Sequence, residues 1–240
     1  MARDGISLVV GVGPGLGAAL VRCFADAGMD VAVAARNSGK LKGLVDEVEA
    51  RGLRSRGYAC DVTEAKDVAA LFRRVEDDLG RPELVVYNAG AFVPAGIMEI
   101  VPADFERCWR VGCFGGFLVG QAAARMMTAP TRAGAPGGTI VFTGATASLR
   151  GGARFANLAV GKFGLRALAQ SMARELGPSG VHVAHVIVDG VIASERSGGQ
   201  TAEESRLDPD AIAANYLTLH RQPRSAWTHE LDLRPWVEKF

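Results

Sequence analysis

Residues 6 to 20, "ISLVVGVGPGLGAAL", run from an apolar β-rich segment through a glycine-rich turn into a helical pattern. A strand that passes into a helix so abruptly needs a backbone free of Cβ constraints, which glycine supplies. The helix that follows presents unsatisfied amides and a positive dipole end at its first turn, a setting suited to a phosphate. This order constrains the chain to a βαβ-type nucleotide fold more strongly than any other feature. Two registers are open. Gly13, Gly15 and Ala18 fit GxGxxG/A, whereas Gly11, Gly15 and Gly17 fit GxxxGxG with Leu16 opening the helix.

The rest of the chain repeats the alternation. Apolar strand-like runs at 30–36, within 54–62, and at 83–90, 138–144 and 181–188 alternate with helical patterns at 38–52, 65–80, 102–129 and 155–177. "THELDLR" at 228–234 reads as the last strand. Continuous apolar strands between helices mean a parallel sheet covered on both faces. The expected fold is one doubly wound, Rossmann-type α/β/α domain over all 240 residues, with no repeat or linker dividing it. The pattern dissolves after Asp189, and ligands bind at the carboxyl ends of such strands. A substrate lid over 189–221 is the functional reading, and a plain surface loop is the other.

A formal charge of +1 gives no reason to expect nucleic acid or an anionic membrane as partner. Cys23, Cys60, Cys108 and Cys113 show no CxxC spacing, so metal and disulfide frameworks are not expected and reduced thiols suit a cytoplasmic protein. The first 20 residues are broken by Asp4, five glycines and a proline, unlike a secretion signal. The later apolar run from Val111 to Gly120 is too short to span a bilayer. The second strand ends at Ala35 and Arg36, where an acidic residue would bind the ribose hydroxyls of NAD. A guanidinium there suits a 2′-phosphate, so NADP is favoured over NAD.

With these residues, "CDV" at 60–62, "YNAG" at 87–90 and Lys162 on its helix, the chain resembles the short-chain dehydrogenase/reductase family over nearly its whole length. The resemblance implies a seven-stranded sheet, a nicotinamide cofactor, and a homodimer or homotetramer built on the two long helices. It places Asp61 and Val62 at adenine, and Asn88, Ala89 and Gly90 along the cofactor cleft. Gly190 and Ile192 fall beside the cofactor after the sixth strand, where the family's usual Pro-Gly is Asp189-Gly190. Lys162 would bind the nicotinamide ribose.

The family's catalytic set is a serine, a tyrosine, a lysine and a helix asparagine. By the same resemblance the tyrosine position is Leu158, the serine position Ala145 and the asparagine position Gly112. Only Lys162 of that set is present. General acid catalysis contributes typically ~10²–10⁴-fold, so its loss would cripple hydride transfer without forbidding it. Thr146 and Asp189 are the candidate substitutes. The ordinary readings are a loop hydroxyl bonded to backbone and a turn aspartate bonded to its own backbone. Thr143 and Ser148 read as loop hydroxyls bonded to backbone, Cys113 as a core thiol, Tyr87 as packing at its strand end, and His182 and His185 as core or interface histidines, while Tyr216 reaches the site only if the lid folds inward. Trp227 and Trp236 suggest a subunit contact, or closure over the protomer's own core. The expected function is an NAD(P)-dependent oxidoreductase on a small carbonyl or alcohol with a remodelled site. A catalytically inactive NADP-binding module, serving as sensor or assembly subunit, is the alternative.

Overall fold

A computed structural model describes residues 5–129, 137–193 and 205–238. Strands β1 (Ile6–Val10), β2 (Asp30–Ala35), β3 (Ser55–Ala59), β4 (Leu84–Tyr87), β5 (Gly138–Thr143) and β6 (Val181–Val188) enter one sheet. The short pair β7 (Val191–Ile192) and β8 (Arg206–Leu207) lies apart from it, and β9 (Glu230–Leu233) completes the main sheet. The order is β3-β2-β1-β4-β5-β6-β9, and every neighbouring pair is parallel. This is the seven-stranded, doubly wound Rossmann-type sheet expected, with its order reversing beside β1.

Alternation along the strands builds two cores. Val9, Val33, Val86 and Val141 face α1 (Leu16–Asp26), α2 (Lys42–Glu49) and α7 (Pro209–His220). Leu8, Val10, Val85 and Phe142 face α3 (Ala65–Asp78), α5 (Gly115–Thr128) and α6 (Ala156–Leu176). Central strand residues such as Leu8, Val9, Val85 and Val86 have no exposed surface. Strands buried on both faces explain the unbroken apolar runs in the sequence.

Two elements differ from expectation. The helix expected over 102–129 is α4 (Pro102–Trp109), a wide π-helical turn (Arg110–Phe114) and α5. The Tyr87 hydroxyl donates to the Val111 carbonyl and so draws it away from the ordinary helical ladder. Gly115 leaves room for that ring, since a Cβ there would lie 2.5 Å from the Tyr87 oxygen. The second difference concerns the proposed lid. Residues 194–204 of it lie outside the described residues, and 209–220 is α7, whose Ile212, Ala213, Tyr216 and Leu219 are buried in the core. That helix is part of the outer layer rather than a cover for the site. Tyr216 is fully buried, and its hydroxyl donates to Thr143 Oγ1 at 3.0 Å.

Candidate active site

The glycine turn settles its own register. Gly11 and Gly15 take φ values of 94° and 93°, a region costly for residues with a Cβ. A Cβ at Gly11 would collide with the backbone of Ala89, and one at Gly17 would lie 2.9 Å from Val12 Cα. Gly13 has nothing within 4 Å of a Cβ position. The constrained glycines are therefore Gly11, Gly15 and Gly17. Gly11 N and Val12 N both donate to Ala34 O, while Asn88 Nδ2 donates to Gly11 O at 3.0 Å. The ends of β1, β2 and β4 are thus tied around one point.

Above that point a cleft of about 1520 Å³ opens across the carboxyl ends of the strands. The turn residues Gly11, Gly15, Leu16 and Gly17 line it, together with Arg36 at the end of β2. Asp61 and Val62 after β3, and Asn88, Ala89 and Gly90 after β4, form the next stretch of wall. Gly190, Ile192 and Ala145 line the far end. The residues singled out for a cofactor thus meet in one cleft, with one exception. Lys162 is buried behind the wall, only 6% exposed, and its Nζ donates to Thr143 O at 2.6 Å.

The cleft fits a dinucleotide. Gly13 and Gly90 present bare backbone to open space, and Gly15 places no side chain over the first amides of α1. Asp61 Oδ1 accepts from Thr63 N at 2.9 Å and from Thr63 Oγ1 at 2.8 Å. Those bonds, the backbone one foremost, hold its carboxyl below the usual carboxylate range. Lys40, Asn37 and Arg110 also line the cleft, and sequence reasoning passed over them. Lys40, four residues after Arg36 at the start of a helical pattern, was the readable signal.

Thr146 Oγ1 donates to Asp189 Oδ1, and Arg234 lies 3.7 Å from the other carboxylate oxygen. Neither ordinary reading of these two residues holds, because each side chain bonds to another side chain. Asp189 is only 5% exposed, a position in which an ionised carboxylate needs such partners. Ser148, by contrast, accepts from Ala145 N and lies 3.3 Å from His185 Nε2, both side chains being buried. Burial pushes the His185 pKa down to about 4. Burial raises the Cys113 thiol, leaving it without activation. His182 stacks on Trp227 with ring centroids 4.9 Å apart, so Trp227 covers its own protomer. Trp236 is 82% exposed. Leu158 lies one turn before Lys162 on α6 and is half-buried. Gly112 packs on Gly161, a Cβ there falling 3.4 Å from Gly161 Cα.

The family model described as short chain dehydrogenase matches residues 6–205. The chain belongs to this family. This chain is 34% identical over 205 residues to the 3-oxoacyl-acyl-carrier-protein reductase MabA of Mycobacterium tuberculosis, covering 85% of this chain and 75% of that one. A crystal structure of a short-chain dehydrogenase from Rhodopseudomonas palustris superposes with a TM-score of 0.84 at 39% identity, covering 98% and 100% of the two chains. A metagenomic short-chain oxidoreductase solved in complex with NADP gives 0.83 at 28% identity, covering 98% and 99%. No described helix of the short-chain dehydrogenase is long and apolar enough to cross a membrane. No cluster of three or more metal-ligating side chains occurs among the described residues.

Proposed function

We propose that this chain is an NADP-dependent oxidoreductase acting on a CH–OH/C=O group, with a remodelled proton-transfer site. One observation carries the reading. The cleft holds the glycine turn and Arg36 at one end and Ala145 at the other, and the resemblance assigns the serine and tyrosine positions to Ala145 and Leu158. Bound nicotinamide supplies or accepts the hydride. The chain's residues supply the rest. Arg36, with Lys40 beside it, holds the 2′-phosphate, and Lys162 supports the ribose end from behind the wall. Asp189, with Arg234 3.7 Å from its carboxylate, orients the Thr146 hydroxyl as the proton-handling pair. Reduced, scattered thiols fit a cytoplasmic site of action.

Cofactor choice is testable directly. Arg36→Ala should weaken NADPH binding by about 1.5–3 kcal/mol and leave NADH nearly unchanged. Equal losses for both, measured by calorimetry, would reject the assignment.

The function itself is tested by NADPH consumption against a panel of ketones and aldehydes. Turnover by the wild type that falls in Thr146→Val and Asp189→Asn supports the remodelled site. NADPH binding without turnover on any panel member favours the second reading, a non-catalytic NADP-binding module, for which the apolar Leu158 and Ala145 also argue. Leu158→Tyr alone should recover little activity, because residues of a relay act as a unit. Strong turnover by that single variant would show an otherwise intact relay. Adding Ala145→Ser and Gly112→Asn should help only if the Gly112–Gly161 contact yields, since an asparagine there overpacks two helices.

We further propose a symmetric dimer or tetramer. Trp109, Phe117, Val160 and Phe163 on α4, α5 and α6 stay between 38% and 45% exposed, an apolar display that a subunit contact would cover. Light scattering that returns a monomer mass at micromolar concentration would reject it.

A further inference from the structure

The loops after β4 and β5 meet beside the far end of the cleft, and their junction concentrates unfavourable features. Phe92 and Phe155 stack with centroids 4.8 Å apart and planes 27° apart, yet remain 38% and 42% exposed. Arg154, next to Phe155, holds a left-handed φ of 68°, a conformation that L side chains resist. Asn157 is buried and donates from Nδ2 to Val93 O at 2.6 Å, while its Oδ1 has no hydrogen-bond partner among the described residues. Ala95 N donates to Arg154 O at 3.3 Å, and the Arg154 guanidinium sits 3.9 Å from the Glu99 carboxylate. These contacts pin the two loops together with the rings facing water. Folding gains little from such a display, and proteins break local rules chiefly where function requires it.

The junction adjoins the cleft along the chain. Ala91, adjoining Phe92, and Ala145, near Leu149, both line it. Leu149 is 37% exposed and Leu158 half-buried, which adds two apolar side chains on the β5 side of the junction. A polar group laid against these rings and leucines would lose water without gaining a partner from them. Arg154 and Glu99, beside the rings, pair with each other.

We propose that Phe92, Phe155, Leu149 and Leu158 form the binding wall for a carbonyl compound, or its alcohol, with an apolar tail. The tail lies along the stacked rings and the reacting carbon lies beside Ala145. This rests on the oxidoreductase reading for the position of the reacting carbon, and on the wall alone for the tail.

The test is calorimetric titration of the full chain with 2-alkanones from 2-butanone to 2-decanone, with and without saturating NADPH. Each buried methylene is worth about fourfold in affinity, so a rise of about three- to fourfold per methylene is expected. The wall is protein alone, so the rise should persist without NADPH. Phe92→Ala and Phe155→Ala should each cut it below about twofold per methylene, with NADPH affinity unchanged. Should either fail to fold, Leu149→Asn at an exposed position replaces it, and the wild-type slope still decides. A flat wild-type series overturns the wall. So does an alanine variant with the full slope, or one whose mass by light scattering falls below that of the wild type, which would assign the rings to a subunit contact. A steep series on a chain that binds no NADPH would keep the wall and overturn the cofactor reading instead.

Discussion

Gly11→Ala is expected to cost about 2–5 kcal/mol of folding stability, and to abolish cofactor binding with it. Two costs combine at this position. The backbone sits at a φ of 94°, and the new methyl group would collide with the backbone of Ala89 at the end of β4. That neighbour cannot rotate away as a side chain would. Gly11 also takes part in the bonds that tie β1 to β2 and β4. Gly13→Ala is the control, since its Cβ position meets nothing within 4 Å. It should change stability by less than about 0.5 kcal/mol. Urea denaturation of both variants checks the pair. Equal, small losses would mean that the turn tolerates either register.

Lys162 gives the second large effect. Its ammonium is buried against Thr143 O, and burial pushes its pKa down to about 8 from an ordinary value of 10.5. A depressed folded pKa means stability that is present above pH 10.5 and lost as the pH falls through 8. At pH 7 the charge therefore opposes folding by about 3 kcal/mol. Wild type and Lys162→Met should be compared by chemical denaturation from pH 7 to 10.5. The wild type should gain on the variant by about 3 kcal/mol across that range. A constant difference would show that the ammonium is well solvated.

What the sequence reveals here is what short-range physics governs. The strands were readable because a sheet buried on both faces needs unbroken apolar runs such as "ELVVY". The cleft wall was readable because a glycine turn, an arginine at the end of β2 and the asparagine after β4 occupy set places in this topology. The misses share another cause. The break at Arg110–Phe114 depends on Tyr87, a strand residue far back in the chain, reaching the Val111 carbonyl. The Thr146–Asp189 bond joins residues 43 apart, and neither position advertises the other. Helix α7 looked like part of a loop-led lid, because only its packing on α1 and the sheet reveals its inner face. The bond from the buried Lys162 Nζ to Thr143 O joins a helix to the end of β5, a direction that the helical pattern alone does not reveal.

The ion pair between Arg234 and Asp189 has a consequence for the order in which the molecule is made. A ribosome adds residues at ~5–20 per second, amino end first. The glycine turn, β1 to β6 and the Asp189 carboxylate therefore all exist before β9 does. Until β9 adds to the free edge of β6, Asp189 lacks its cationic partner, and that edge is open to pairing with another nascent chain. The glycine-turn end of the cleft can take shape early, while the Thr146–Asp189 end waits for the final strand to bring its cation. A stalled or nicked chain that ends before β9 would therefore carry the whole glycine turn and leave the Asp189 carboxylate without Arg234.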